Sequence, residues 1–174
     1  MLKDSQKVFL TGFMGVGKST IARHLAKILK CPRLDLDARI EKQHGQPVSE
    51  LILGLGVDRY RDVESDALAL LLDEPTPAIV ALGGGAFTIE RNRKMIKEKG
   101  HTSVWLESTF EHCWMNIQRS KKVRPLAKDR ETTRQLFDER MASYCLAEWH
   151  FLIKPEYSSY DIAKQISEEV FCLE

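Results

Sequence analysis

The stretch GFMGVGKST, Gly12 to Thr20, decides the fold. It follows a short apolar run, KVFLT (Lys7 to Thr11), that reads as a buried strand. It opens a segment whose apolar residues Ile21, Leu25, Ile28 and Leu29 share one helical face. The pattern GxxxxGK[ST] between a strand and a helix is a P-loop, in which backbone N–H groups cradle phosphate oxygens. Gly12, Gly15 and Gly17 allow the backbone to turn inward where a side chain would intrude, and the helix N-terminus adds partial positive charge. Lys18 would reach the β- and γ-phosphates of a nucleotide, and the Ser19 hydroxyl would coordinate Mg²⁺. A Gly-rich turn with a coincidental Lys-Ser is the alternative, and both correct flanking elements speak against it.

Outward from this loop, strands and helices alternate. RLDL (Arg33 to Leu36) reads as a second strand, 37–44 as a helix stopped by Gly45, and Ser49 as the cap of a brief helix ending at Gly54 or Gly56. Asp58 to Leu72 forms a longer helix with Tyr60, Val63, Ala67 and Leu71 on one face. AIVAL (Ala78 to Leu82), TSVWL and HFLI supply three more strands, the last ended by Pro155. Helices are expected near 88–99, 109–119, 132–145 and 159–171. Such alternation predicts an α/β fold around a parallel sheet. A chain of 174 residues fits one domain, and its 26 basic and 25 acidic residues leave no net field favouring nucleic acid or an anionic membrane. No apolar run approaches a membrane span, and the start MLKDSQKVFL has no signal-like apolar region, so the expectation is a cytoplasmic protein. Cys31, Cys113, Cys145 and Cys172 are far apart and read as buried or inert thiols.

Asp35 and Asp37 alternate with leucines, so an extended chain would turn both carboxylates to one side. Like charges so placed call for a cation, and Mg²⁺ at the P-loop is the obvious one. The strand AIVAL lacks the terminal aspartate that often helps hold this metal, so Asp35 or Asp37 takes that place or no carboxylate does. Transfer to an alcohol also benefits from a carboxylate that accepts the hydroxyl proton. Asp37 could alternatively cap a helix beginning at Ala38, or do both. In YRDVE, Glu64 lies three residues after Arg61 and can hold its guanidinium. Gly83, Gly84 and Gly85 end a central strand, where α/β sheets bind ligands, and permit close approach by a small molecule. RSKKVRPLAKDR (Arg119 to Arg130) has six basic residues and one acidic, without the interleaved aromatics of nucleic-acid readout. As a lid it would bring Arg124 to phosphate charge. Arg140 has no obvious acidic partner four residues away.

In this order, the P-loop, the DxD of Asp35 and Asp37 followed by Ile40-Glu41, Tyr60-Arg61 with Glu64, the triple glycine, Arg124-Pro-Leu126 and Arg140 before Tyr144 resemble the shikimate kinase family. The resemblance implies a P-loop NTPase-type three-layer sandwich with a central five-stranded parallel sheet, a substrate-binding segment about 36–64 and a lid about 119–131, in one kinase domain spanning 1–174. It implies transfer of the γ-phosphate of ATP to the 3-hydroxyl of shikimate, with Mg²⁺, in a monomer. Carried over by position, Lys18, Asp37 and Arg124 would be catalytic. Gly15, Val16, Gly17, Lys18, Ser19, Thr20, Arg119 and Arg124 would bind the nucleotide. Asp37, Arg61, Gly83, Gly84, Gly85 and Arg140 would hold the substrate, and Ser19 and Asp35 would face the metal. The chain departs from the family pattern at Gly56-Val57, at Ala127 and at Met141-Ala142-Ser143. A kinase of another hydroxy acid such as gluconate, or a non-catalytic relative, is the competing reading. Retention of Arg61, the triple glycine and Arg140 argues against the first, and of Lys18, Ser19, Asp35 and Asp37 against the second.

Overall fold

The computed structural model describes residues 5–154 and 156–171. Strands β1 (Lys7–Thr11), β2 (Arg33–Asp35), β3 (Ala78–Ala81), β4 (Thr102–Glu107) and β5 (Trp149–Leu152) form one parallel sheet in the order β2-β3-β1-β4-β5. β1 sits in the middle, with Phe9 opposite Val80 on one side and Ser103 on the other. Its residues are buried throughout, because helices cover both faces of the sheet and leave no side for a polar alternation. The helices are α1 (Lys18–Ile28), α2 (Leu36–His44), α3 (Val48–Leu55), α4 (Val57–Leu72), α5 (Glu90–Glu98), α6 (Phe110–Arg119), α7 (Arg130–Tyr144) and α8 (Ser159–Phe171). The result is a three-layer α/β sandwich, with α1 and α8 packed on each other. The chain leaves β1, passes β3 to form β2, returns to β3, and then crosses β1 to reach β4. That reversal beside β1 is the switch point at which such sheets bind ligands, at the strands' C-terminal ends.

Several boundaries differ from the sequence reading for physical reasons. The chain turns helical at Leu36, whose side chain is fully buried, and Asp35 is the cap: its side chain accepts from the Ala38 N–H at 3.3 Å. Asp37 therefore lies in the first helical turn and is not the cap. Helix α3 begins at Val48, before Ser49, because Pro47 occupies the cap position and Glu41 Oε1 accepts from the Val48 N–H at 3.0 Å. The segment near 88–99 divides into a 3₁₀ turn, Ala86–Thr88, and α5. Helix α7 starts at Arg130, earlier than 132, since Asp129 accepts from Thr132 N–H at 2.8 Å. On α4 the buried face includes Glu64, while Val63 is only partly covered. Cys113 is buried and its thiol pushed up to about 11 by burial; Cys31 is half-buried and Cys145 is exposed. Cys172 and Pro155 lie outside the described residues. Among the described residues, no helix is long and apolar enough to cross a membrane.

Candidate active site

The ends of β1, β2 and β3 open into a cleft of about 980 Å³. At one end is the P-loop. Gly15 has φ +85, and a Cβ there would meet the Cys113 carbonyl oxygen of α6 at 2.5 Å, so both backbone and space require glycine. Gly17, also left-handed, leads into α1, whose N-terminus supplies the unpaired N–H groups and partial positive charge that suit an anion. The Lys18 ammonium donates to the carbonyls of Gly12 at 2.7 Å and Phe13 at 2.9 Å. Burial lowers its pKa from the ordinary lysine value to about 8, with nearby Arg124 and Arg140 acting in the same direction. Ser19 Oγ donates to Asp35 Oδ2 at 2.9 Å, which turns the hydroxyl's lone pairs outward beside a carboxylate. Val16 and Thr20 also line this end.

The other end is built around the turn Gly83–Gly85 after β3. Together the three glycines give room to charged side chains from α2, α4 and α7. A Cβ on Gly83 would stand 2.7 Å from both Asp37 Oδ1 and Glu64 Oε1. One on Gly84 would lie 3.3 Å from Arg140 Nη1, and one on Gly85 would collide with the Arg61 guanidinium. Arg61 Nη1 donates to Glu64 Oε2 at 2.6 Å, and the Glu64 carboxylate is almost wholly buried. Burial pushes the Glu64 pKa up, and the adjoining Arg61 opposes this. Arg140 comes from α7, over the Phe13 ring at 5.8 Å, and Tyr144 on the same helix donates its hydroxyl to the Gly84 carbonyl. Desolvation pushes that phenol up to about 12, which keeps it a donor.

Over the cleft runs the irregular segment between α6 and α7. Its Lys122 reaches Asp37 Oδ2 at 3.3 Å. Arg124 lines the cleft, and its Nη1 is buried without a hydrogen-bond partner among the described residues. Arg119 stays apart: it is exposed at the end of α6 and does not line the cleft. Sequence reasoning missed Lys122, whose only signal was its place in the basic run, and the α6 residues His112 and Asn116. Asn116 Nδ2 donates to the Gly15 carbonyl at 2.8 Å across 101 residues of chain, a contact with no local pattern.

A triphosphate loop that faces a pair of guanidinium groups across one cleft defines a class: a P-loop kinase whose acceptor is a small acid. The family model described as shikimate kinase matches residues 14–171. The shikimate kinase of Caulobacter vibrioides is 38% identical over 149 residues, which cover 84% of this chain and 73% of that one. That of Ruegeria pomeroyi is 40% identical over 144 residues, covering 81% and 72%. Among solved structures, a shikimate kinase from Acinetobacter baumannii in complex with shikimate superimposes with a TM-score of 0.87 at 29% identity, covering 96% of this chain and 93% of that one. The chain belongs to the shikimate kinase family and is an ATP-dependent kinase.

Proposed function

We propose that this chain transfers the γ-phosphoryl group of ATP to the 3-hydroxyl of shikimate as a single kinase domain, with residues 36–64 holding the acceptor and 119–131 closing as a lid. The observation that carries the reading is the convergence of Asp37, Arg61 and Arg140 on the Gly83–Gly85 turn, across one cleft from Lys18 and Ser19. Arg61 and Arg140 suit a small carboxylate, since guanidinium groups grip it through paired N–H bonds. Glu64 fixes Arg61 in that orientation at 2.6 Å. With the carboxylate so held, Asp37 accepts the proton of the attacking hydroxyl. Lys18 and Arg124 neutralise charge on the transferring phosphoryl group, and the unpartnered Nη1 of Arg124 is a donor suited to a phosphate oxygen.

Mg²⁺ fits the site. Ser19 and Asp35 offer adjoining hard oxygen donors, and Mg²⁺ in nucleotide sites takes only one or two protein ligands beside water and phosphates. When bound there, the ion supplies charge neutralisation of the phosphates.

The test uses an acceptor analogue whose carboxylate is replaced by a neutral hydroxymethyl group. A charged hydrogen-bonded contact contributes about 1.5–3 kcal/mol, so wild type should prefer shikimate over the analogue by about 10- to 150-fold per arginine. Arg61→Lys and Arg140→Lys should each reduce the preference by up to one arginine's share while the KM for ATP holds. An arginine whose variant keeps the full preference does not read the carboxylate.

A further inference from the structure

The P-loop is gripped by one face of α6, and the mechanism above makes no use of that grip. Gly15 abuts the Cys113 carbonyl and the Ile117 side chain, and its own carbonyl accepts from Asn116 Nδ2 at 2.8 Å. Asn116 Nδ2 also lies 3.0 Å from His112 Nε2, one helical turn earlier. The Gly15 carbonyl can only accept, so the atom facing it must be the amide nitrogen, and the Asn116 side chain has one allowed orientation. Its second N–H then points to His112 Nε2, which must be the bare nitrogen of the ring, with the proton on Nδ1. Both hydrogens of one amide are thus committed, one to the loop and one to the histidine.

We propose that Asn116, oriented by His112, is a positioning residue: it pins the Gly15–Val16 peptide on α6 so that the N–H groups beyond it, at the start of α1, keep their place for phosphate. A peptide unit has its N–H opposite its C=O, so anchoring the Gly15 carbonyl on α6 sets the direction of the Val16 N–H, which donates to the Phe13 carbonyl at 3.3 Å and closes the turn before Gly17. Gly15, like Gly12 and Gly17, has a positive φ, so no side chain of its own restrains the loop there and an outside anchor has something to hold. Because α6 continues directly into the segment that carries Lys122 and Arg124, the anchor also fixes where that segment begins. The proposal rests on the reading of Gly12–Thr20 as the ATP phosphate site.

Both side chains also line the cleft, so the experiment must distinguish a loop anchor from a direct contact to the nucleoside. Titration calorimetry is run on the full chain with tripolyphosphate, which has no base, and with ADP. A lost neutral hydrogen bond corresponds to roughly 2- to 13-fold in affinity. Asn116→Ala should therefore weaken tripolyphosphate and ADP by the same factor within that range. Asn116→Asp, which faces the Gly15 oxygen with another acceptor, should weaken both further. His112→Phe should weaken tripolyphosphate as well, and His112→Gln, whose amide oxygen can still accept, should recover most of that loss. Shikimate affinity and melting temperature, followed in parallel, should stay near wild type and exclude misfolding. Loss of ADP affinity with tripolyphosphate unchanged would make Asn116 a contact to the nucleoside and overturn the proposal. Failure of His112→Gln to recover would remove the histidine from it. Wild type that binds neither probe would instead refute the phosphate-site reading on which it rests.

Discussion

Lys18 carries the most specific pH signature in the cleft. With its ammonium lowered by burial to about 8, the unfolded chain binds a proton that the folded chain lacks from about pH 8 up to the ordinary lysine range. Stability tied to this group therefore rises with pH across that window, and below it the cost of burying the charge is fully present. A phosphate beside the ammonium has the opposite effect and raises its pKa. ATP binding near pH 8.5 should accordingly take up a proton, seen as binding enthalpies that vary with the buffer's ionisation heat, and Lys18→Met should abolish the uptake. Equal uptake in the variant would assign the proton to another group. The aspartates separate at the same scale. Asn is as good a helix cap as Asp, so Asp35→Asn preserves the start of α2 and removes only the charge beside Ser19. Its activity should recover in part at raised Mg²⁺. Asp37→Asn should lower turnover by about 10²–10⁴-fold with no such recovery; the reverse pattern would exchange the two roles. The sequence reading brought both carboxylates to the site by strand alternation, which the chain does not follow beyond Asp35. Both line the cleft because Asp37 falls in the first turn of α2, just after the cap.

Between elements, the arrangement depends on space that only glycine leaves. At Gly85 the backbone angles suit any residue, φ being −105°, so the requirement is the room taken by Arg61 from α4. Gly85→Ala should leave the sheet intact and drive the guanidinium off Glu64. The expected result is a KM for shikimate raised at least about tenfold, by loss of a charged contact, with the KM for ATP and the melting temperature little changed. A variant with an unaltered KM for shikimate would place Arg61 outside acceptor binding. The sequence pointed to the triple glycine as a place of close approach but not to the groups that converge on it, since Asp37, Arg61 and Arg140 come from α2, α4 and α7. β1, β3 and β4 were legible because strands buried on both faces are continuous apolar runs. The start of α3 was not, because the Glu41 carboxylate that meets the Val48 N–H comes from another helix. The segment over the cleft has no hydrophobic period, so its charge could be read and its Lys122–Asp37 contact could not.

At the scale of the whole molecule, the sheet order brings four distant pieces of sequence to one edge: the loop after β1, the Asp35 cap after β2, the glycine turn after β3, and α6 with its continuation after β4. No piece is a site alone. The P-loop would bind nucleotide in any of many proteins, and the buried pair Arg61–Glu64 is costly unless its free N–H groups serve a ligand. Their union across one cleft makes a specific acceptor more than a general alcohol the central claim. The most direct test supplies Mg²⁺ and ATP with shikimate and gluconate together in equal amounts, and identifies the products by phosphorus–proton correlation NMR. The account predicts one phosphate ester, on the 3-oxygen of shikimate, formed in step with ADP, with gluconate unchanged and little inorganic phosphate. An ester on gluconate, an ester at another oxygen of shikimate, or ADP matched only by inorganic phosphate would contradict it.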